Sequence, residues 1–152
     1  MVRLEVIETS APGSDALKAL KAYAAVSDSG QETILSAMLK RAFAVVQRYA
    51  DVALLGGRYR ITAEDHHGIV KVYMGGKAER VVNGSGDAVT YEQDGNILYV
   101  GTTSPVQVEF TTTSNADEYD SLLPVVLRYA TALYDGEDTK VLNEILKESL
   151  YA

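Results

Sequence analysis

Ala88-Val-Thr-Tyr-Glu-Gln-Asp-Gly-Asn-Ile-Leu-Tyr-Val100 is two runs of strand-forming residues, Ala88 to Gln93 and Asn96 to Val100, set around Asp94-Gly95. Asp and Gly tolerate the positive φ that a tight turn demands, so the stretch predicts a β-hairpin. Similar patterns run outward from it. Arg58 to Ala63 sets Tyr59 and Ile61 against Arg58, Arg60 and Thr62, and Val106 to Thr112 sets Val106, Val108 and Phe110 against Gln107, Glu109 and Thr111. A period of two places such residues on opposite faces of a sheet. Ile69 to Met74 and Glu79 to Val82 are shorter strand runs. Between the runs lie the turn signals Asp65-His66-His67-Gly68, Gly75-Gly76 and Asn83-Gly84-Ser85-Gly86-Asp87. From about Gly56 to Thr113 there is no helical period.

Helical signals close this block off on both sides. Ser14 or Asp15 is placed to cap a first helix running to about Val26. Ser29 stands three residues before Glu32, a capping-box spacing for a second helix over about Gln31 to Asp51. Along it Ile34, Leu35, Met38, Leu39, Ala42, Val45, Val46 and Tyr49 recur at helical spacing and form one apolar arc. Phe43 lies just outside the arc and reads either as a widened core face or as a subunit contact. A third helix starts between Asp117 and Leu123, with Pro124 in its first turn, where a missing N–H costs nothing. Its apolar residues, Leu122 to Tyr134, cover more than half the circumference, which predicts burial by several neighbours. Asp138 or Thr139 caps a last helix with a narrow stripe of Val141, Leu142, Ile145 and Leu146, while Leu150 and Tyr151 lie off that stripe. Residues 3–8 read as an edge strand or an extended arm. The expected fold class is α+β: a small helical bundle (about 14–55 and 117–151) with an inserted antiparallel β-hairpin or sheet arm (about 56–113), in a single domain of residues 1–152.

The totals bound the function. A chain of 152 residues buries a core without staples. With no cysteine there is no disulfide, no thiolate metal site and no cysteine nucleophile. The N-terminal residues lack the apolar run of a signal peptide, and no apolar run reaches transmembrane length. The expectation is a soluble, unprocessed protein. The net charge of −7 is poorly suited to gripping phosphates.

No residue constellation assembles a reaction. Adjacent His66 and His67 point in different directions, which suits a solvated turn better than a metal site. Glycines 75–76 and 84–86 lie between strands, not before a helix, so they read as turns and not phosphate loops. The carboxylates at Asp117-Glu118-Asp120 and Glu137-Asp138 stand where helices begin, where negative charge is favourable against the dipole. No catalytic, metal or cofactor residue is assigned. Ten tyrosines against two phenylalanines and no tryptophan is a bias. Tyr59, Tyr73, Tyr91 and Tyr99 all fall in the strand region and read as one paved face of a sheet or as a partner-binding face.

The whole order resembles the head–tail connector (adaptor) proteins of tailed bacteriophages and related phage-like particles. The resemblance rests on the short helix Asp15 to Tyr23, the long helix with Lys40-Arg-Ala42 and Val45-Val-Gln-Arg-Tyr49, the hairpin, and Val106-Gln-Val-Glu-Phe-Thr-Thr112. The best match is Leu122-Leu-Pro-Val-Val-Leu-Arg-Tyr-Ala130 with Tyr134. It departs at the strand end, where a tyrosine–threonine–alanine–glycine run is replaced by Phe110-Thr-Thr-Thr113. The resemblance implies a structural virion protein of the neck, made in the host cytoplasm. It would form a ring, typically twelvefold, under the portal protein, docking a stopper or tail-terminator protein. DNA would pass through the lumen without sequence-specific binding, and no membrane is involved. A neck stopper or tail-completion protein is the alternative within the particle. A cytosolic binding module is the alternative outside it, and an enzyme is least favoured. The candidate interface is Phe43, Tyr59, Tyr73, Tyr91, Tyr99, Leu150 and Tyr151, the last two placed to dock on the portal.

Overall fold

The computed structural model describes residues 2–26 and 29–151, apart from the side chains of residues 29 and 149–151. It is an α+β fold of four helices and two antiparallel sheets. The chain divides into a β unit, residues 1–10 and 51–114, and an α unit, residues 11–50 and 115–152.

The β unit contains β1 (Val2–Thr9), β2 (Gly57–Ala63), β3 (Ile69–Lys71), β4 (Lys77–Asn83), β5 (Tyr91–Asp94), β6 (Ile97–Val100) and β7 (Val106–Thr112). One sheet has the order β1-β2-β7-β4 and the other β3-β6-β5. The alternation in the sequence becomes cross-strand pairing: Tyr59 faces Phe110, Ile61 faces Val108 and Ala63 faces Val106. These six are buried, with Ala78 and Val81 from β4 and Val70, Leu98 and Val100 from the second sheet. The Tyr59 and Phe110 rings stack with centroids 5.3 Å apart. Each large side chain so buried contributes roughly 1.5–3 kcal/mol. The hairpin at Asp94 pairs Asp94 with Ile97, so its two loop residues are Gly95 and Asn96, one residue later than the sequence predicts. Gly95 has φ 60 and Asn96 is not in the positive-φ region, the pattern of a type II′ turn. Residues 3–8 form an edge strand, paired with β2 and bulged between Val6 and Glu8. The sheet therefore recruits residues from before the first helix.

The α unit contains α1 (Ser14–Tyr23), a 3-10 turn (Ser29–Gln31), α2 (Glu32–Ala50), α3 (Ala116–Tyr134) and α4 (Thr139–Tyr151). α3 packs against α1, α2 and α4, the central place its wide apolar surface predicts. Two boundaries correct the sequence reading. α1 stops at Tyr23, short of Val26, and its N-cap is Gly13, with no side-chain cap from Ser14 or Asp15. α3 begins at Ala116, because the Asn115 side chain accepts the Glu118 N–H at 3.1 Å. Pro124 thus sits in the helix interior, on its exposed side, and withholds an N–H from the ladder. Asp138 caps α4 by accepting the Val141 N–H at 3.0 Å. The Ser29 capping side chain lies outside the described residues.

Candidate functional site

The proposed interface residues separate into three groups. Phe43 and Tyr59 are core residues, each 1% exposed. Phe43 stacks on Tyr119 at 5.7 Å, within the α unit. This corrects the reading of both as contact residues: α2 buries Leu35, Leu39, Ala42, Phe43 and Val46, while Ile34 and Tyr49 of the predicted arc are exposed. The buried face is rotated relative to the apolar arc, so the flanking Phe43 is inside and Ile34 outside. Leu150 and Tyr151 have side chains outside the described residues.

Tyr73, Tyr91 and Tyr99 form the third group, but they do not pave one face. Tyr73 is half-buried in the turn after β3, where the Lys71 ammonium lies 5.0 Å from its ring centroid. Tyr91 pairs with Val100, and Glu92 with Tyr99. Successive residues on a strand point to opposite faces, so Tyr91 shares the face of buried Leu98 and Val100, and Tyr99 takes the other. The Tyr91 hydroxyl donates to the Ala78 carbonyl at 3.4 Å, turned toward β4. Tyr99 is 47% exposed beside Ile69, 53% exposed, directly opposite on β3. The strand pairing, not the local sequence, brings Ile69 to Tyr99.

Polar side chains at the other candidate positions serve structure. His66 is buried: it accepts the Gly68 N–H at Nδ1, 3.1 Å, and Nε2 lies 2.6 Å from the Ser104 carbonyl. With Nδ1 an acceptor, Nε2 carries the proton and donates. The histidine turn is therefore a clamp between two loops and not a solvated bend, while His67 is exposed. Gly75 and Met74, with φ 64 and 56, make the turn before β4. Gly76 has no room for a side chain, since a Cβ would lie 2.3 Å from the Phe110 ring. The Asn83 side chain accepts the N–H groups of Ser85 and Asp87, which shapes Gly84–Gly86 as a strand-end turn. Asp117 and Glu118 lie in the first turn of α3.

The exposed face of the four-stranded sheet carries a charge ladder. The register aligns Glu5, Arg60, Glu109 and Arg80 across all four strands. Arg60 meets Glu109 at 3.1 Å, with Arg58 at 3.7 Å from the same carboxylate. Beside it lies a cleft of about 240 Å³ lined by Arg60, Arg80, Asn83, Gly84, Gln107 and Glu109 among others. Glu109 offsets the arginines there. Tyr119 has its hydroxyl pKa raised, by burial first and then by the charges of Asp120 and Asp15. Among the described residues no three His, Cys, Asp or Glu side chains are grouped to hold a metal ion. No described helix is long and apolar enough to cross a membrane.

Comparison with solved structures finds this fold in chains from gene transfer agent (GTA) particles. A chain from the virion of a native gene transfer agent particle aligns with TM-score 0.59 and 14% identity, over 95% of this chain and 93% of that one. A chain from the neck of an empty GTA particle computed with C6 symmetry aligns with TM-score 0.57 and 15% identity, over 88% and 84%. A chain from the neck of a native GTA particle computed with C12 symmetry aligns with TM-score 0.50 and 14% identity, over 93% of each. At this identity the likeness is one of fold. No protein-family model and no curated protein sequence matches the chain.

Proposed function

We propose that this protein is a structural component of a tailed-phage-like particle: a head–tail connector that forms a ring beneath the portal, extends the DNA channel and presents the docking surface for the next neck or tail protein. The observation that carries the reading is a likeness of fold, nearly end to end, to chains from GTA necks. Those necks are computed with C6 and C12 symmetry, which suits a twelvefold ring. The net charge of −7 supports the same reading, because a basic channel wall would hold DNA at every phosphate it met. A ring needs head-to-tail contacts between two different patches on each subunit. Ile69 and Tyr99 on the outer face of the second sheet are our candidate for one patch. Leu150 and Tyr151, at the end of α4, are our candidate for the portal contact.

The portal contact calls for a short truncation. Leu142, Ile145 and Leu146 are buried in the α unit, so deleting residues 139–152 would strip its core. Removal of residues 149–152 spares those side chains. The test mixes the chain with the portal protein of the same particle and images the product by electron microscopy. The reading predicts rings capping the portal, lost on removal of residues 149–152 if that end docks there. Absence of any portal complex, or binding to tail assemblies instead, contradicts the connector assignment and favours a tail-completion role.

A further inference from the structure

The two outer edges of the four-stranded sheet are treated differently. The β4 edge is closed: the Val89 N–H donates to the Val81 carbonyl, Asn83 N–H to the Asp87 carbonyl, and the Gln93 side chain accepts the Ala78 N–H. The β1 edge is the open end of the sheet order. Its side chains are unusually bare for apolar residues, with Val2 51% and Val6 56% exposed. Both lie on the face that Leu4 shares, opposite the buried Ala63, Ile61 and Tyr59. An open edge with bare apolar side chains is a template for another strand.

The sequence of that edge specifies the strand. Val2-Arg-Leu-Glu-Val6 is self-complementary when laid antiparallel on itself about Leu4. Val2 then meets Val6, Arg3 meets Glu5, and Leu4 meets Leu4 of the second copy. All apolar residues fall on one face and all charges on the other, as in the parent sheet. The same residues that turn their N–H and C=O groups outward on one copy meet the same set on the other, so the ladder bonds are in phase. The neighbouring in-phase registers are blocked. Sliding by one step sets Arg3 against Arg3, and sliding the other way sets Glu5 against Glu5. Like charges directly opposite each other are unfavourable. The bulge between Val6 and Glu8 ends the regular edge just past the self-complementary run.

We infer that β1 is a two-fold pairing edge, on which a second copy of this chain adds its own β1 in antiparallel register about Leu4, covering Val2 and Val6. Arg3 and Glu5, which meet within one strand at 2.8 Å, then also pair across the two copies. A two-fold contact closes on itself and cannot propagate a ring. The pair masks an aggregation-prone edge. It does not depend on the particle reading.

Sedimentation velocity of the full chain, over roughly three decades of concentration up to about 1 mM, tests the pairing, since one strand pair buries far less than a permanent interface. The expected result is a concentration-dependent dimer. Arg3→Glu alone and Glu5→Arg alone each place like charges opposite one another and should weaken association at least tenfold. The double variant Arg3→Glu/Glu5→Arg should restore it, and the two single variants mixed together should form a heterodimer. Circular dichroism controls for folding, since Glu5→Arg also sets an arginine opposite Arg60 within the sheet. A chain that stays monomeric throughout, a dimer indifferent to the single reversals, or a failure of the double variant and the mixture to recover overturns the inference.

Discussion

Replacing Gln93 should loosen the β unit, because its side chain stands in for a missing stretch of backbone. Its Oε1 accepts the Ala78 N–H at 2.8 Å, and its Nε2 donates to the Gly76 carbonyl at 2.8 Å and to the Gly95 carbonyl at 2.9 Å. One half-buried amide thus ties β5 to the edge of β4 and closes the hairpin turn. Gln93→Ala removes all three bonds and leaves an N–H and two carbonyls without their partner. A bond left unmade costs about 1–3 kcal/mol when fully buried and nearer 0.5–1 where water reaches. The site is half-buried, so the expected loss is about 2 kcal/mol, or a roughly 30-fold shift in the unfolding equilibrium. Gln93→Glu keeps the acceptor but turns a carboxylate oxygen on two carbonyls. It should cost at least as much at neutral pH and recover as acid protonates it. Amide exchange at Ala78 and at Val108 in the centre of the sheet reads the effect within the β unit. Unchanged exchange at Ala78, or a loss below about 0.5 kcal/mol in urea unfolding, would refute the assigned role.

Three further outcomes follow from the same geometry. His66→Ala should destabilise the chain by about 1–3 kcal/mol, since it removes both bonds of the loop clamp, whereas exposed His67→Ala should stay within about 0.5 kcal/mol. Urea unfolding compares them, and particle assembly should tolerate His67→Ala. Pro124→Ala should stabilise by about 1–2 kcal/mol, the interior helix penalty offset in part by a freer unfolded chain; thermal unfolding by circular dichroism measures it. The raised Tyr119 pKa means the folded state holds its phenol proton more tightly than the unfolded chain does. Its contribution is complete below the ordinary value of 10.0 and is lost as pH rises through the raised folded value. Tyr119→Phe should therefore show a shallower decline in stability above pH 10 than the parent chain.

Strand periodicity carried most of the fold. Tyr59 and Ile61, and Val106, Val108 and Phe110, declare their buried face because a period of two tolerates no ambiguity once one face is covered. The helical apolar arc of α2 is visible in the sequence, but the buried face is rotated from it, so Phe43 is inside and Ile34 outside. The sequence places the start of α3 too late, because Pro124 suits a first turn, while Asn115, three residues before Glu118, is the cap. The candidate surface was least legible. Whether Tyr91 and Tyr99 share a face depends on alternation within the hairpin, but the meeting of Ile69 with Tyr99 depends on which distant strand pairs with β6. His66 reads as solvated in the sequence because its partner, the Ser104 carbonyl, lies 38 residues away.

The copy number of this chain in purified tailed particles is the most direct test of the connector reading. Quantitative mass spectrometry against the portal protein, on particles freed of unassembled subunits, gives the ratio. A connector ring matched to a twelvefold portal predicts one copy of this chain per portal subunit, retained in full capsids and in isolated necks. Its absence from particles, or a ratio set by the many-ringed tail tube, would contradict it.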